Sequence, residues 1–317
     1  TVLVLEDGEA VAFGQNADGQ TSILDLRGRK VGLAAAGGRH TVLVVNDEVL
    51  TPGIPARQSR LLGIQLEWVV ARFPEDVQKQ AGMHVDAQNL DFIAMSSLVA
   101  YGENSYGYNK LCPRDGKLHC SIVDALKPHG FSSKATLFLS WVWQYKLRLV
   151  LDVLLQFRAS QTEPATECFL WWCFFQNNQH RILGEQKTIT TDELANIFGN
   201  QLRAVGRMAC MLDKAEGSSY AGRIWCIYEV FVARKEHIPM STLLPSSFQA
   251  NLDSLMREGG VSRVRQAITV DAERAEATSK ADERNIKALI QATSSFTNVN
   301  KAVQQGLLNN ILECLRT

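Results

Sequence analysis

From Lys134 onward, short apolar runs alternate with longer helical stretches, and that alternation restricts the fold more than any other feature of the chain. Ala135 to Leu139 predicts a strand, Gln144 to Phe157 a helix, Cys168 to Phe175 a buried strand and Thr191 to Val205 a helix. Met208 to Leu212 then reads as a strand, Tyr220 to Lys235 as a helix, Ile238 to Leu244 as a strand and Ser247 to Met256 as a helix. Val264 to Val270 predicts a last strand, and helices Ser279 to Thr293 and Asn298 to Leu315 close the chain. Strands separated by helical crossovers imply an α/β fold, a doubly wound parallel sheet covered on both faces. In such a sheet a ligand docks in the crevice outside the carboxyl ends of the strands.

The chain divides into three parts by pattern: a β-repeat over 1–50, an irregular and helical connecting region over 51–130, and the α/β domain over 131–317. The repeat is Thr1-Val-Leu-Val-Leu-Glu-Asp-Gly-Glu, which returns as Thr41-Val-Leu-Val-Val-Asn-Asp-Glu, and each copy reads as a β-hairpin. Pro52, Gly53 and Pro55 mark the first boundary. Beyond them Leu62, Ile64, Leu66, Val69, Val70 and Phe73 fall at helical spacing, predicting one helix from Leu61 as far as Pro74. Tyr101 to Asn109, rich in glycine, asparagine and tyrosine, reads as a surface loop.

Balanced charge, 33 basic against 33 acidic residues, gives no field to draw a polyanion, so nucleic acid is not an expected partner. Apolar runs such as Cys168 to Phe175 are far below the roughly 20 residues of a spanning helix, so no membrane partner is expected. Glu6, Asp7 and Glu9 interrupt any secretory pattern at the start. Seven cysteines without a C-x-x-C pair read as reduced core thiols, and the expected setting is cytoplasmic. Cys112, His119 and Cys120 fit no standard zinc spacing, so no metal is expected.

One residue stands out chemically. Glu229 lies in Arg223-Ile-Trp-Cys-Ile-Tyr-Glu-Val230, with Trp225 and Cys226 behind it on the helix and Val232 and Ala233 ahead. None of these neutralises a carboxylate, so Glu229 must find a distant partner, bind a ligand or take up a proton. A structural ion pair, with Arg223 or another arginine, is the competing account. Three segments fall at the expected ligand edge: Ser140-Trp-Val-Trp143, Gln176-Asn-Asn-Gln-His180 and Asp213. They offer Ser140, Asn177, Asn178 and Asp213 as hydrogen-bonding groups. Trp141 and Trp143 would either stack on a ligand ring or fill the core, and His180 reads as an ordinary surface histidine.

Two resemblances follow from these phrases. Ala12-Phe-Gly-Gln-Asn-Ala-Asp-Gly-Gln20 and Ala35-Ala-Gly-Gly-Arg-His-Thr-Val-Leu43 resemble blades of the regulator-of-chromosome-condensation propeller family. They cover about one blade and the start of another, whereas a closed propeller needs at least about four. Residues 134 to 270 resemble the Toll/interleukin-receptor (TIR) fold. The likeness rests on Phe138-Leu-Ser-Trp-Val-Trp143, Phe169-Leu-Trp-Trp-Cys-Phe-Phe175 and Trp225-Cys226-x-x-Glu229, and is strongest to a TIR-like domain of protist proteins.

What the second resemblance implies is a signalling domain. In its enzymatic branch the glutamate of the Trp-Cys phrase, here Glu229, cleaves nicotinamide from NAD. A carboxylate beside the ribose would stabilise the oxocarbenium-like transition state, and the nicotinamide leaves neutral without a general acid. Ser140 and Asn177 would then hold ribose or phosphates, Trp141 or Trp143 a ring, and Arg223 the diphosphate, with Asn178, Asp213 and Trp225 nearby. NAD enters as substrate and no cofactor is held permanently. The family's Arg-Asp and Pro-Gly after the second strand are replaced here by Asn177-Asn178-Gln179, so assembly through that loop is expected to differ. The alternative is a non-catalytic scaffold that binds other proteins or itself. Phosphate-loop, G-x-G-x-x-G, G-x-S-x-G and H-E-x-x-H patterns do not occur after the appropriate elements.

Overall fold

Four short strands are buried on every residue or nearly so, and they set the centre of the structure. The computed structural model describes residues 56–161, 164–184 and 199–314, together with the backbone of four strands within residues 2–45. Two compact units result, 1–54 and 55–317.

In the first unit β1 (Val2–Val4) pairs antiparallel with β2 (Ala10–Ala12), and β3 (Val31–Ala36) with β4 (Thr41–Val45). The first repeat copy supplies the leading strand of one pair and the second copy the trailing strand of the other, while residues 46–48 of the second copy lie outside the described residues. Most of the first propeller-like phrase, and residues 37–40 of the second, lie outside the described residues.

The second unit is mixed α/β, a six-stranded, mostly parallel sheet flanked by helices. Its strands are β5 (Leu62–Gln65), β6 (Ser132–Lys134), β7 (Leu137–Ser140), β8 (Phe169–Trp171), β9 (Met208–Met211) and β10 (Met240–Leu243). Their order across the sheet is β10-β9-β7-β8-β5-β6, and before β7 come the helices α1 (Ala56–Arg60), α2 (Leu66–Ala71), α3 (Phe73–Ala81), α4 (Phe92–Val99) and α5 (Ile122–Leu126). The pairs β10-β9, β9-β7 and β7-β8 are parallel, while β8-β5 and β5-β6 are antiparallel. Every residue of β7 and β9 is buried, as parallel strands covered on both faces require. From β7 the chain runs through α6 (Leu147–Ser160) to β8 on one side. It then passes through α7 (Cys173–Gln176) and α8 (199–205) to β9 on the other side of β7. The strand order therefore reverses at β7, which β8 and β9 flank in parallel.

After β9, α9 (Ile224–Lys235) leads to β10, and α10 (Phe248–Ala267), α11 (Lys280–Thr293) and α12 (Phe296–Cys314) follow. Both α11 and α12 pack on α9, and α12 also reaches β10. This cover explains the almost wholly apolar composition of α9, since a helix enclosed on most sides has no polar face to present.

Several expectations change. Leu61 to Pro74 is not one helix: β5 is followed by α2 (Leu66–Ala71) and α3 (Phe73–Ala81). Leu62, Ile64 and Leu66 satisfy a two-residue period as well as a helical one. Gly63 decides between them, because a Cβ there would lie 2.8 Å from the backbone carbonyl of Leu170, so β5 and β8 approach as only glycine permits. Pro74 sits in the first turn of α3, where its missing N–H costs nothing, and so starts a helix instead of ending one. The 51–130 stretch contributes β5 to the sheet of the second unit and is not a separate connector.

The run Cys168 to Phe175 is only partly strand, since β8 stops at Trp171 and α7 begins at Cys173. An unbroken apolar run carries no period with which to separate the two. Val264 to Val270 is not a strand: Val264 and Ala267, three apart, are buried on the last turn of α10, which bends at Gly259 and Gly260. The predicted helix from Thr191 is described only over 199–205.

Candidate functional site

The sheet's central strand ends on Ser140, opposite Cys210 of β9 in the register. Glu229 comes to the same place from α9. Cys226 and Glu229, one turn apart, share the face turned toward the end of β7, where the Cys226 thiol donates to the Trp141 carbonyl oxygen at 3.2 Å. Ser140 donates its hydroxyl to Glu229 Oε2, and the same hydroxyl oxygen lies 2.5 Å from the Tyr220 hydroxyl. Ser140 and Tyr220 are fully buried, while Glu229 keeps 9% of its surface exposed. Tyr220 also hydrogen-bonds the Cys210 thiol.

The electrostatics follow from burial. Burial pushes the Glu229 carboxyl from its ordinary 4.5 up to about 8, and the hydrogen bond from Ser140 pulls only partly against it. Among the described residues no cation pairs with Glu229. Burial likewise raises Cys173 and Cys210 to about 12, with the neighbouring Glu229 adding to the effect, and Cys226 rises well above its usual range for the same reasons. The three thiols are therefore protonated at neutral pH, the form that is a poor nucleophile.

The structure brings Ser140 to Glu229 and takes most of the other expected residues elsewhere. Arg223 donates to Thr278 Oγ1 at 2.7 Å, which removes the Arg223–Glu229 ion pair as an account of this glutamate. Trp225 stands one turn before Glu229 on α9, but its side chain is hydrogen-bonded to Asp282 on α11. Trp141, 5% exposed, donates to Cys173 Sγ at 3.3 Å and packs edge-on against Phe92 and Trp172, which makes it core. Trp143 is half-buried and stacks on Trp141 with ring centroids 5.9 Å apart.

Asp213 does follow β9, but its carboxylate accepts from Ser218, Ser219 and Tyr145 and ties down its own loop. Asn177 is half-buried at the end of α7. Asn178 is buried, donating to the His119 carbonyl at 2.8 Å and accepting from the His180 N–H at 3.1 Å. His180 is not a surface histidine. It is 6% exposed, lies 3.1 Å from Ser105 Oγ through Nε2, and stacks on His119. The loop 176–180 is thus spent inside the unit, against the 101–120 stretch.

Tyr220 and Cys210 were not marked by the sequence as site residues. Tyr220 stands ahead of the Trp-Cys phrase in a short 3-10 turn, Tyr220–Gly222, and no spacing links it to Ser140. Among the described residues no group of three or more His, Cys, Asp or Glu side chains is placed to hold a metal. A cavity of about 540 Å³ lies elsewhere, bounded by residues including Trp68, Arg72, Asp76, Tyr106 and Phe131, and does not include Glu229. No described helix is long and apolar enough to cross a membrane. No protein-family model, curated protein or solved structure matches the chain.

Proposed function

We propose that the second unit is a doubly wound, TIR-like domain that cleaves the nicotinamide-ribose bond of NAD, with Glu229 as the catalytic group. One observation carries this reading: an acid without a counter-charge stands beside Ser140 at the strand-order reversal, where α/β sheets bind ligands. With its acid strength shifted to about 8, Glu229 is ionised in only about a tenth of free molecules at pH 7. NAD supplies the missing charge. Its pyridinium is cationic, and a cation brought against a buried acid favours the carboxylate, so the proton leaves as substrate docks.

The ionised Glu229 then faces the ribose as the bond to the pyridinium nitrogen breaks. The electron pair goes to nicotinamide, which departs neutral; water adds to the oxocarbenium carbon, and one proton is released. Ser140 orients the carboxylate by its hydrogen bond. Incubating the full chain with NAD and following free nicotinamide tests the reading. Release that disappears in Glu229→Ala supports it; an unchanged NAD pool at high protein concentration, or full activity in the variant, refutes it.

A second reading has its own observation behind it. The Tyr220, Ser140 and Glu229 chain is complete without any ligand, which suits a neutral acid that joins α9 to the sheet in a signalling scaffold binding other proteins or itself. This reading predicts complexes without turnover. It also places the contacts away from Asn178 and His180, both of which are buried.

A further inference from the structure

The hydroxyl of Ser140 has one proton and two close partners, Tyr220 Oη and Glu229 Oε2, so its orientation depends on where the carboxyl's proton is. With Glu229 ionised, Tyr220 donates to Ser140 and Ser140 donates to the carboxylate. With Glu229 protonated on Oε2, the carboxyl donates to Ser140, Ser140 donates to Tyr220 Oη, and the Tyr220 proton turns to the Cys210 sulfur beside it. Both arrangements satisfy every member, and the row reverses direction between them.

We propose that Tyr220 is a positioning residue that sets how tightly Glu229 holds its proton, acting through Ser140. The reason is an asymmetry between the two arrangements. Hydrogen bonds onto a charged acceptor are stronger than neutral ones, and each bond in a row polarises the next, so the tyrosine's donation matters most when Glu229 is ionised. The other groups facing the carboxyl cannot supply this effect. They are the Cys173, Cys210 and Cys226 thiols, raised by burial and by Glu229 itself, and they come from α7, β9 and α9. Arg223, at the start of the same helix, acts on Cys226 and is bonded to Thr278.

The inference deepens the nicotinamide-cleavage reading and takes its Glu229 from it, but its readout needs no NAD. The full chain, carrying carbon-13 at the glutamate carboxyls and tyrosine ring carbons, is titrated by NMR, with Glu229 assigned by loss of its signal in Glu229→Gln. In the unaltered protein the Tyr220 Cζ signal should move with the same midpoint as the Glu229 carboxyl. In Tyr220→Phe, which keeps the ring, the acid dissociation constant of Glu229 should fall by about threefold to tenfold. In Ser140→Ala, which removes the direct donor, it should fall by about tenfold or more.

A Tyr220 signal that stays flat while Glu229 titrates overturns the proposal even if neither variant folds. So does an unmoved Glu229 midpoint in a folded Tyr220→Phe protein. A tyrosine that only fills space would produce both of those results. Absence of NAD cleavage would refute the enzyme reading and leave these measurements standing.

Discussion

The hydroxyl of Ser140, last residue of the central strand, donates to the carboxyl of Glu229, 89 residues further along the chain. That contact joins the sheet to α9 at the place where the strand order reverses. Its energetic consequences can be measured separately from any activity.

The first concerns pH. The folded carboxyl titrates at about 8 against 4.5 when ordinary, so the folded state holds the proton more tightly than the unfolded chain. Its contribution to stability is greatest below about 4.5, declines as pH rises and levels off above about 8. A shift of this size corresponds to a loss on the order of 5 kcal/mol across that window. Glu229→Gln, with no proton to lose, should flatten it. Urea midpoints between pH 5 and 8 for the two proteins check this; parallel curves would contradict it.

Removing the Ser140 hydroxyl should cost about 1–3 kcal/mol, because Tyr220 and Glu229 are both left short of a partner in a buried place. Urea unfolding of Ser140→Ala at pH 6 measures it. A loss within about 0.5 kcal/mol, typical of surface changes, would mean that the contact does not hold the fold.

Gly63→Ala should be costly for a purely steric reason. The added methyl would meet the Leu170 carbonyl carbon and oxygen at 2.8 Å, and both are backbone atoms that cannot swing aside. A loss of about 1–3 kcal/mol is expected, read as a lowered urea midpoint. An unaffected midpoint would contradict the β5–β8 pairing.

Arg114 is the cation that meets a second buried carboxylate, Asp124. Its guanidinium lies 3.5 Å from Asp124 and donates to Ser59 Oγ at 2.8 Å and to the Gln176 carbonyl at 2.6 Å, clasping three separate segments. Arg114→Met leaves Asp124 buried without its cation and should cost about 3 kcal/mol. A change below about 1 kcal/mol would show that Ser59 and Ser121, which also bond Asp124, satisfy it alone.

What could be read before the structure, and what could not, follows from how many patterns each residue fits. β7 and β9 were legible because their mostly apolar runs of five residues are too short for a helix, and α9 because its length exceeds that of a buried strand. Glu229 was legible as a charge without a local partner. β5 was not, since Leu62, Ile64 and Leu66 fit two periods and the deciding contact, Gly63 against Leu170, joins residues far apart in the chain. Arg223 and Trp225 were misplaced because helical spacing shows which residues share a face but not which neighbour meets it; Thr278 takes the first and Asp282 of α11 the second. Tyr220 was missed because its partner Ser140 is 80 residues away.

The most direct test of the central claim is the pH dependence of kcat/KM for nicotinamide release from NAD, measured for the native chain and for Glu229→Gln. The free enzyme's acid governs this profile. Below a midpoint near 8 the rate should climb about tenfold per pH unit and then level, and the glutamine variant should lie about a hundredfold or more below that plateau without the climb. No nicotinamide at any pH, or a variant that follows the native curve, would contradict it.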